Sequence, residues 1–259
     1  MPAAHDHGDA HYSIQWLADG AVFTVCRPQK LNALTKPVFE GLRLCLDRLE
    51  QEKRRFLIIT GDGDRAFSAG TDLAEAQDMS AEAWLDKNQV VRELLYRLSR
   101  SPVLSIAAIN GLALGGGLEV AMACALRVAV PNAVLGLPEI KLNLLPSYGG
   151  TQFLPAIVGR ARAEDLMLSG RNIDTAEALS IGLIHRVVPG GVVEAAFALA
   201  RDITQYAPSA VAAIRHCIAA AGSVVTEAGL AVEDRWVRTV FPSDEATAGV
   251  AAFLARRKS

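Results

Sequence analysis

The sequence carries almost no net charge. Its 259 residues include 26 Lys and Arg against 28 Asp and Glu, which gives a formal net charge of −2 at pH 7. A protein that binds nucleic acid generally needs a basic surface for the phosphate backbone. The sequence has no basic patch interleaved with aromatic residues, so a nucleic-acid partner is not expected.

Long uncharged hydrophobic runs are also scarce. The segment that comes nearest to the length of a membrane-spanning helix is 103–126, and it contains Asn110, four glycines and Glu119. These residues favour a buried core segment over a membrane span. No basic segment followed by an apolar run opens the chain, so neither a signal peptide nor membrane association is predicted.

Cysteine is rare, and its spacing shows no pairing motif. The four cysteines lie far apart, with no Cys-x-x-Cys pair, at Cys26, Cys45, Cys124 and Cys217. Such spacing is typical of reduced structural thiols in a reducing compartment. The sequence therefore predicts a cytoplasmic location.

The sequence does contain many apolar segments in a regular order. Hydrophobic residues make up 51% of the chain, enough for a large buried core. Residues 1–11 are small and polar and predict a disordered tail, whose three histidines (His5, His7 and His11) are not expected to hold a metal. Strands and helices alternate over 12–200, and helices fill 201–259. This order predicts an α/β fold with a helical C-terminal region.

The expected elements follow the apolar pattern. Strands are predicted over Tyr12–Leu17, Ala21–Arg27, Phe56–Thr60, Val103–Ile109, Arg127–Val130, Ala133–Leu137 and Ile184–Val188. Helices are predicted from an N-cap at Thr35 to near Lys53, from Ser80 to Ser99 and from Gly115 to Leu126.

Two short motifs resemble catalytic fingerprints but lack their context. The segment 61–66 fits Gly-x-Gly-x-x-Ala, yet a dinucleotide site needs a helix from the second glycine, and poor helix formers follow here. The segment 66–70 lacks the first glycine of the serine-hydrolase turn, and no histidine lies in a suitable partner context. Neither a nicotinamide cofactor nor serine-hydrolase chemistry is predicted.

Two glycine-rich segments, 69–73 and 114–119, each follow a predicted buried strand. Glycine lets the backbone approach a ligand closely, and backbone amides at a strand end or helix start are unpaired. Two such amides facing one point form an oxyanion hole, which would stabilise the enolate of a thioester. Taken singly, each segment is better explained as an ordinary tight turn.

Two glutamates stand in apolar surroundings near these segments. Glu119 is the only charged residue between Pro102 and Arg127, and it follows Gly116 by three positions. Glu139 is the next acidic residue along the chain. A buried, unpaired carboxyl has a raised pKa, which suits general acid–base catalysis. The structural alternative is that Glu139 caps a helix and that Glu119 has a charged partner.

Four segments occur in order along the chain. They are Arg27-Pro-x-x-x-Asn32-Ala-Leu34, Ala66-Phe-Ser-Ala-Gly70-Thr-Asp-Leu73, Asn110-Gly-x-Ala-x-Gly115-Gly-Gly-x-Glu119 and Pro138-Glu139-Ile-x-Leu-x-Leu-Leu-Pro146-x-x-Gly149-Gly-Thr151. Together they resemble the crotonase superfamily and, within it, the enoyl-CoA hydratases. The resemblance covers residues 12–255, and the common order of the four segments is far more specific than any one of them.

The resemblance implies a role for each matching residue. The backbone amides of Thr71 and Gly116 would hold the thioester oxygen, Glu119 would activate water for attack at Cβ, and Glu139 would deliver or remove the proton at Cα. The implied substrate and CoA contacts are Arg27, Gln29, Leu31, Ala33, Ala69, Gly70, Asp72, Leu73, Gly115, Pro138 and Tyr148. Coenzyme A enters as part of the acyl-CoA substrate, and no metal or other cofactor is implied.

The same resemblance implies the crotonase (ClpP-like) fold of stacked ββα units, with 12–200 as its core, assembled as a homotrimer or a dimer of trimers. The implied activity is hydration of a 2-enoyl-CoA, or the reverse dehydration, in fatty acid metabolism. A Δ3-Δ2-enoyl-CoA isomerase, or another acyl-CoA reaction on this scaffold, is the nearest alternative. A non-catalytic interaction protein or RNA-binding relative is the alternative from a different class.

The chain departs from the common hydratase pattern at a few positions. Thr71 stands where alanine is frequent, although only its backbone amide is needed. Ser147 and Tyr148 replace smaller residues, and Phe153 stands where arginine is frequent. Tyr148 is expected to narrow or reshape the acyl pocket, which leaves the length of the acyl chain open.

Overall fold

A computed structural model gives the fold for residues 5–77, 79–220 and single residues between 234 and 248. The chain divides into two compact units, residues 1–200 and residues 201–259. The described strands are β1 His5–Asp9, β2 Tyr12–Leu17, β3 Gly20–Val25, β4 Phe56–Gly61, β5 Ala66–Ser68, β6 Leu104–Ile109, β7 Leu112–Leu114, β8 Leu126–Ala129, β9 Val134–Gly136, β10 Asn172–Asp174 and β11 Arg186–Val187. The described helices are α1 Lys36–Gln51, α2 Leu73–Gln77, α3 Ala81–Arg100, α4 Gly116–Ala123, α5 Gly150–Val158, α6 Arg160–Ser169, α7 Thr175–Ser180, α8 Val192–Thr204 and α9 Pro208–Ala220, with 3₁₀ turns at Pro28–Lys30 and Pro138–Leu142.

The larger sheet has seven strands in the order β1-β2-β3-β4-β6-β8-β11. Strands β1, β2 and β3 pair antiparallel, whereas β3, β4, β6, β8 and β11 are parallel neighbours. Every residue of β4 and β6 is buried, because parallel strands are covered on both faces. The prediction of a buried parallel strand over 56–60 is confirmed.

The smaller sheet has four strands in the order β10-β9-β7-β5, of which β9, β7 and β5 are parallel. Because parallel strands end at the same edge of a sheet, the segments that follow them meet there. Strand β5 leads to Gly70 and Thr71, β7 leads to Gly115 and α4, and β9 leads to Glu139. This edge therefore brings together the segments to which the sequence assigned chemistry.

Helix α1 packs its apolar face against the larger sheet. Its buried side chains recur at the spacing of an amphipathic helix and include Val38, Phe39, Leu42, Cys45, Leu46 and Leu49. Thr35 occupies the predicted N-cap position with an extended backbone. Its hydroxyl, however, forms a 2.7 Å hydrogen bond with Nδ1 of His11 instead of accepting from a helix amide.

Residues 5–11 differ from the prediction of a disordered tail over 1–11, of which residues 1–4 lie outside the described residues. His5–Asp9 forms β1 and pairs antiparallel with β2. Pairing with a neighbouring strand satisfies backbone hydrogen bonds in a polar segment that has little apolar surface to bury. The amide of His11 donates to the Asp9 carboxylate at 2.6 Å, which closes the turn between the two strands.

Helix α4 ends at Ala123, earlier than the predicted end near Leu126, because Cys124 is extended and β8 begins at once. The carbonyls at this helix end are bound by the buried guanidinium of Arg127. Its Nη1 donates to Cys124 O and its Nε donates to Leu183 O, each at 2.7 Å. Burial lowers the pKa of Arg127 to about 10. The cation complements the negative end of the helix dipole.

Replacing Arg127 with Met is expected to destabilise the fold. The change leaves the carbonyls of Cys124 and Leu183 buried without this donor, which costs about 3 kcal/mol. Thermal unfolding followed by circular dichroism should show Tm lowered by roughly 6–12 °C. The matched control is Arg160→Met, which removes an exposed arginine paired with Glu164 and should shift Tm little. Equal melting of the two variants would contradict the capping role.

Candidate active site

The first candidate oxyanion donor is the backbone amide of Thr71. Leu34 and Thr71 form a parallel bridge, in which Leu34 donates to Gly70 O at 2.7 Å and accepts from the Asp72 amide at 2.9 Å. In such a bridge, the residue between the two bonded neighbours directs its own N–H and C=O to the opposite side. The Thr71 amide therefore faces away from Leu34, and it bonds to no acceptor in the described part of the chain.

The second candidate donor is the amide of Gly116, the first residue of α4. The first four amides of a helix have no partner within that helix, and they lie at the positive end of its dipole. A Cβ added to Gly70 would lie 3.0 Å from Leu114 O and 3.3 Å from the Gly116 nitrogen, and φ of Gly70 is +102°. Glycine at position 70 thus lets the two donor segments face each other closely.

Glu119 lies one turn into α4 and is only 1% exposed. Its Oε1 accepts hydrogen bonds from the amides of Tyr148 at 2.8 Å and Gly150 at 2.7 Å, at the start of α5. Burial raises the pKa of Glu119 to about 7, because desolvation and the nearby Glu139 carboxyl outweigh the two hydrogen bonds. The carboxyl is thus oriented by α5 and poised to exchange a proton near neutral pH.

Glu139 reaches the same place from the 3₁₀ turn that follows β9. Its Oε1 lies 3.1 Å from the point that a Cβ on Gly115 would occupy. Its Oε2 is buried, and no described group forms a hydrogen bond with it. Burial raises the pKa of Glu139. An unpartnered carboxyl of this kind favours the protonated form and marks a functional position.

One cleft brings these groups together, with a volume of about 590 Å³ including its open mouth. Its lining contains many of the predicted site residues, namely Ala69, Gly70, Thr71, Leu73, Gly115, Gly116, Glu119, Pro138 and Glu139. Other residues that line the cleft were not predicted as contacts, and they are Trp84 on α3 and Leu142, Leu144, Leu145 and Ser147 after β9. The available signal in the sequence was the group of leucines that closely follows Glu139. In the structure these leucines are exposed, and a cluster of exposed apolar residues indicates a binding surface.

The remaining predicted contact residues lie outside the cleft lining, and they are Arg27, the exposed Gln29, Leu31, Ala33, Asp72 and Tyr148. Most of them belong to a segment that packs beside residues 69–72, which connect β5 to α2 and are called the Thr71 loop below. Arg27 forms a 2.8 Å ion pair with Asp72, and the Ala69 amide donates to Leu31 O at 2.9 Å. The segment that contains Arg27 and Leu31 therefore supports the Thr71 loop, which carries the first candidate oxyanion donor.

Tyr148 was predicted to shape the acyl pocket, but it is not among the residues that line the cleft and lies behind the segments that carry Thr71 and Gly116. The residue is 1% exposed, and its hydroxyl lies 2.8 Å from Oγ1 of Thr71. A Cβ on Gly116 would meet the tyrosine ring at 2.7 Å. On its other side Tyr148 lines a second cavity together with Phe153. The departures at positions 71 and 148 are therefore partners in one contact.

The described residues contain neither a metal-binding cluster nor a membrane-spanning helix. No group of three or more His, Cys, Asp or Glu side chains there is arranged to hold a metal ion. None of the described helices is long and apolar enough to cross a membrane. The four cysteines form no disulfide, and burial raises the pKa of the Cys45 thiol to about 12.

Comparison with known proteins agrees with the geometry of the cleft. A family model described as Enoyl-CoA hydratase/isomerase matches residues 19–259. The chain belongs to this family. The short-chain-enoyl-CoA hydratase of Clostridium acetobutylicum is 35% identical over 244 residues, covering 92% of each protein. The mitochondrial methylglutaconyl-CoA hydratase of Homo sapiens is 35% identical over 242 residues, covering 91% of this chain and 71% of that protein.

Solved structures show the same fold. The enoyl-CoA hydratase of Bacillus anthracis matches with a TM-score of 0.90 at 33% identity, over 95% of this chain and 96% of that one. Pseudomonas aeruginosa DspI matches with a TM-score of 0.90 at 32% identity, over 98% of this chain and 97% of that one. The predicted crotonase fold is therefore confirmed.

The raised pKa of Glu119 predicts that its carboxyl group destabilises the fold at neutral and higher pH. The pKa is 4.5 in the unfolded chain and about 7 in the folded chain. Between these values the folded state binds more protons, so stability is greatest below pH 4.5 and falls as pH rises toward 7. In thermal unfolding, Glu119→Gln should therefore gain Tm over the wild type, and the gain should be larger at pH 8 than at pH 5.

The control for this prediction is Glu164→Gln, which changes an exposed glutamate on α6. It should alter Tm little at either pH. An equal difference between Glu119→Gln and the wild type at both pH values would contradict the raised pKa.

Proposed function

We propose that this family member is an enoyl-CoA hydratase, which adds water across the 2,3 double bond of a 2-enoyl-CoA or catalyses the reverse dehydration. The observation that carries the proposal is a pair of glutamates, the buried Glu119 and the half-buried Glu139, in one cleft with two outward-facing amides, those of Thr71 and Gly116. Two relatives that are themselves named hydratases support the same class of reaction.

In the proposed forward reaction, the amides of Thr71 and Gly116 bind the thioester oxygen. Glu119 takes a proton from water while the water oxygen forms a bond to Cβ. The electron pair of the double bond moves through Cα to the thioester oxygen, and the two amides stabilise the resulting enolate. Glu139 then gives its proton to Cα, which yields a 3-hydroxyacyl-CoA.

The two glutamates are suited to different roles because their surroundings differ. Two amides hold Oε1 of Glu119 as a hydrogen-bond acceptor, and its pKa of about 7 allows an appreciable carboxylate fraction at neutral pH. Oε2 of Glu139 has no described donor, and burial favours its protonated form. Surroundings that differ in this way separate a base from an acid. These differences support Glu119 as the base and Glu139 as the acid.

The apolar part of the cleft suits the acyl chain of the substrate. Trp84, Leu142, Leu144 and Leu145 line it beside the two glutamates. Binding sites for small molecules are generally apolar with a few convergent polar groups, as here. Coenzyme A is proposed to enter as the carrier of the acyl group. The cytoplasmic location and the assembly as a trimer or a dimer of trimers stay predictions.

Purified protein should consume the conjugated absorbance of crotonyl-CoA and form 3-hydroxybutyryl-CoA. Glu119→Gln and Glu139→Gln should each lower kcat by about 10²-fold or more, because each removes a proton-transfer group. Binding of butyryl-CoA, measured by calorimetry, should change little. Glu164→Gln is the matched control and should retain the wild-type rate. A fully active Glu139→Gln variant would contradict the mechanism with two glutamates.

The same mechanism predicts an acidic limb in the pH profile. The carboxylate form of Glu119 is required in the free enzyme, so kcat/KM should fall about tenfold per pH unit below a pKa near 7. Initial rates with crotonyl-CoA between pH 5.5 and 9 would measure this limb. A rate that stays constant down to pH 5.5 would be incompatible with Glu119 as the base.

Product analysis separates hydration from the alternatives. Conversion of a 3-enoyl-CoA to a 2-enoyl-CoA without formation of a hydroxyacyl product would identify an isomerase. Tight binding of acyl-CoA without turnover of any tested thioester would place the chain among non-catalytic relatives. The proposed hydratase instead gives a hydroxyl group at Cβ, and in D₂O it adds one deuterium at Cα.

A further inference from the structure

One buried side chain contacts both halves of the proposed oxyanion hole. The hydroxyl of Tyr148 lies 2.8 Å from Oγ1 of Thr71, and its ring stands directly behind Gly116. Phe39 packs edge-on against that ring, with the ring centroids 5.3 Å apart. The tyrosine ring is therefore held in one place, and its hydroxyl can act as a fixed point for the Thr71 loop.

Among the described residues, no backbone hydrogen bond joins the Thr71 loop to α4. The bridge to Leu34 fixes the loop on the side away from the cleft. On the cleft side, Gly70 and Gly116 approach each other without side chains. Neither Gly70 nor Gly116 therefore has a side chain that could fix the distance between the two donor amides.

Tyr148 supports the two candidate catalytic segments with its side-chain hydroxyl and with its backbone amide. Its hydroxyl binds Thr71, whereas its own amide donates to Oε1 of Glu119 on α4 at 2.8 Å. Burial raises the pKa of the phenol to about 12, so the hydroxyl stays protonated over the range in which the enzyme would be assayed. The side chain and the main chain of Tyr148 thus act on different catalytic groups.

We propose that Tyr148 is a positioning residue, whose hydroxyl clamps the Thr71 loop at the spacing from α4 that lets both amides reach one thioester oxygen. This inference deepens the proposed function and rests on it, because it concerns the two amides assigned there to the carbonyl. The positioning role explains why the chain departs from the common family pattern at both position 71 and position 148, because the two side chains bind each other.

Two variants remove the clamp from either end. Tyr148→Phe keeps the ring and the amide bond to Glu119 but loses the hydroxyl, and Thr71→Val keeps the shape but loses Oγ1. Each should lower kcat about tenfold with KM within about twofold, since a misplaced donor weakens the transition state more than the ground state. Because both changes break one bond, the double variant should be about as impaired as either single variant.

The pH profile distinguishes this role from general loosening of the site. Tyr148→Phe retains the amide that holds Glu119, so the acidic limb near pH 7 should stay in place while kcat falls. A structural collapse would shift that limb as well. Tyr96→Phe is the matched control, because this tyrosine is exposed on α3 and its hydroxyl accepts a hydrogen bond from Arg100. Its kcat and pH profile should match the wild type.

A second readout does not require turnover. Butyryl-CoA labelled with ¹³C at the thioester carbonyl can be bound to each variant, and the carbonyl stretch measured by infrared difference spectroscopy. Two well-placed donors lower that frequency relative to free butyryl-CoA. The shift should be smaller in Tyr148→Phe and Thr71→Val, and Thr71→Ser should recover most of it because it restores a hydroxyl.

The outcomes separate the clamp from the proposed function. A full carbonyl shift in the wild type and in both clamp variants would overturn the positioning role and leave the oxyanion hole intact. Absence of any shift in the wild type would overturn both. A shift that is reduced in both single variants, and no further in the double variant, would support the clamp even if crotonyl-CoA were a poor substrate.

Discussion

The close approach of two backbone segments at the edge of the smaller sheet is the constraint on which the rest of the site depends. Strand β5 ends against the start of α4, where a Cβ on Gly117 would lie 2.3 Å from Ser68 O. The glycines at positions 70 and 116 continue this contact into the cleft. Side chains there would push the segments apart and separate the two amides proposed as oxyanion donors. The packing of these two segments thus requires glycine at positions 70, 116 and 117, and it brings the amides of Thr71 and Gly116 to the same cleft.

Helix α4 connects this constraint to the electrostatics of the site. Its amino end presents the Gly116 amide to the cleft, and its carboxyl end is neutralised by the buried Arg127. Between them, Glu119 accepts hydrogen bonds from the amides of Tyr148 and of Gly150, the first residue of α5, and its burial disfavours the charged form. Burial of Glu119 disfavours its carboxylate form and so costs the fold stability. The same burial raises its pKa to about 7, which suits proton transfer near neutral pH.

Much of this arrangement could be predicted from local sequence. The alternating strand β2 was predicted with its observed bounds, and the start of α3 was predicted near Ser80, whose hydroxyl accepts a hydrogen bond from the Ala83 amide. Glu119 stood out as a lone charge in an apolar helix. What local patterns could not show were contacts between distant segments. The pairing of β1 depends on a neighbouring strand, Trp84 reaches the cleft from α3, and Tyr148 turns its ring toward Thr71 rather than toward the acyl pocket.

The most direct test of the account is a crystal structure of the Glu119→Gln variant with a bound 2-enoyl-CoA. The account predicts the thioester oxygen at hydrogen-bond distance, about 2.7–3.1 Å, from the amide nitrogens of both Thr71 and Gly116. It also predicts Cβ facing position 119 and Cα facing Glu139. A thioester carbonyl bound elsewhere, or a Cα out of reach of Glu139, would contradict the proposed chemistry.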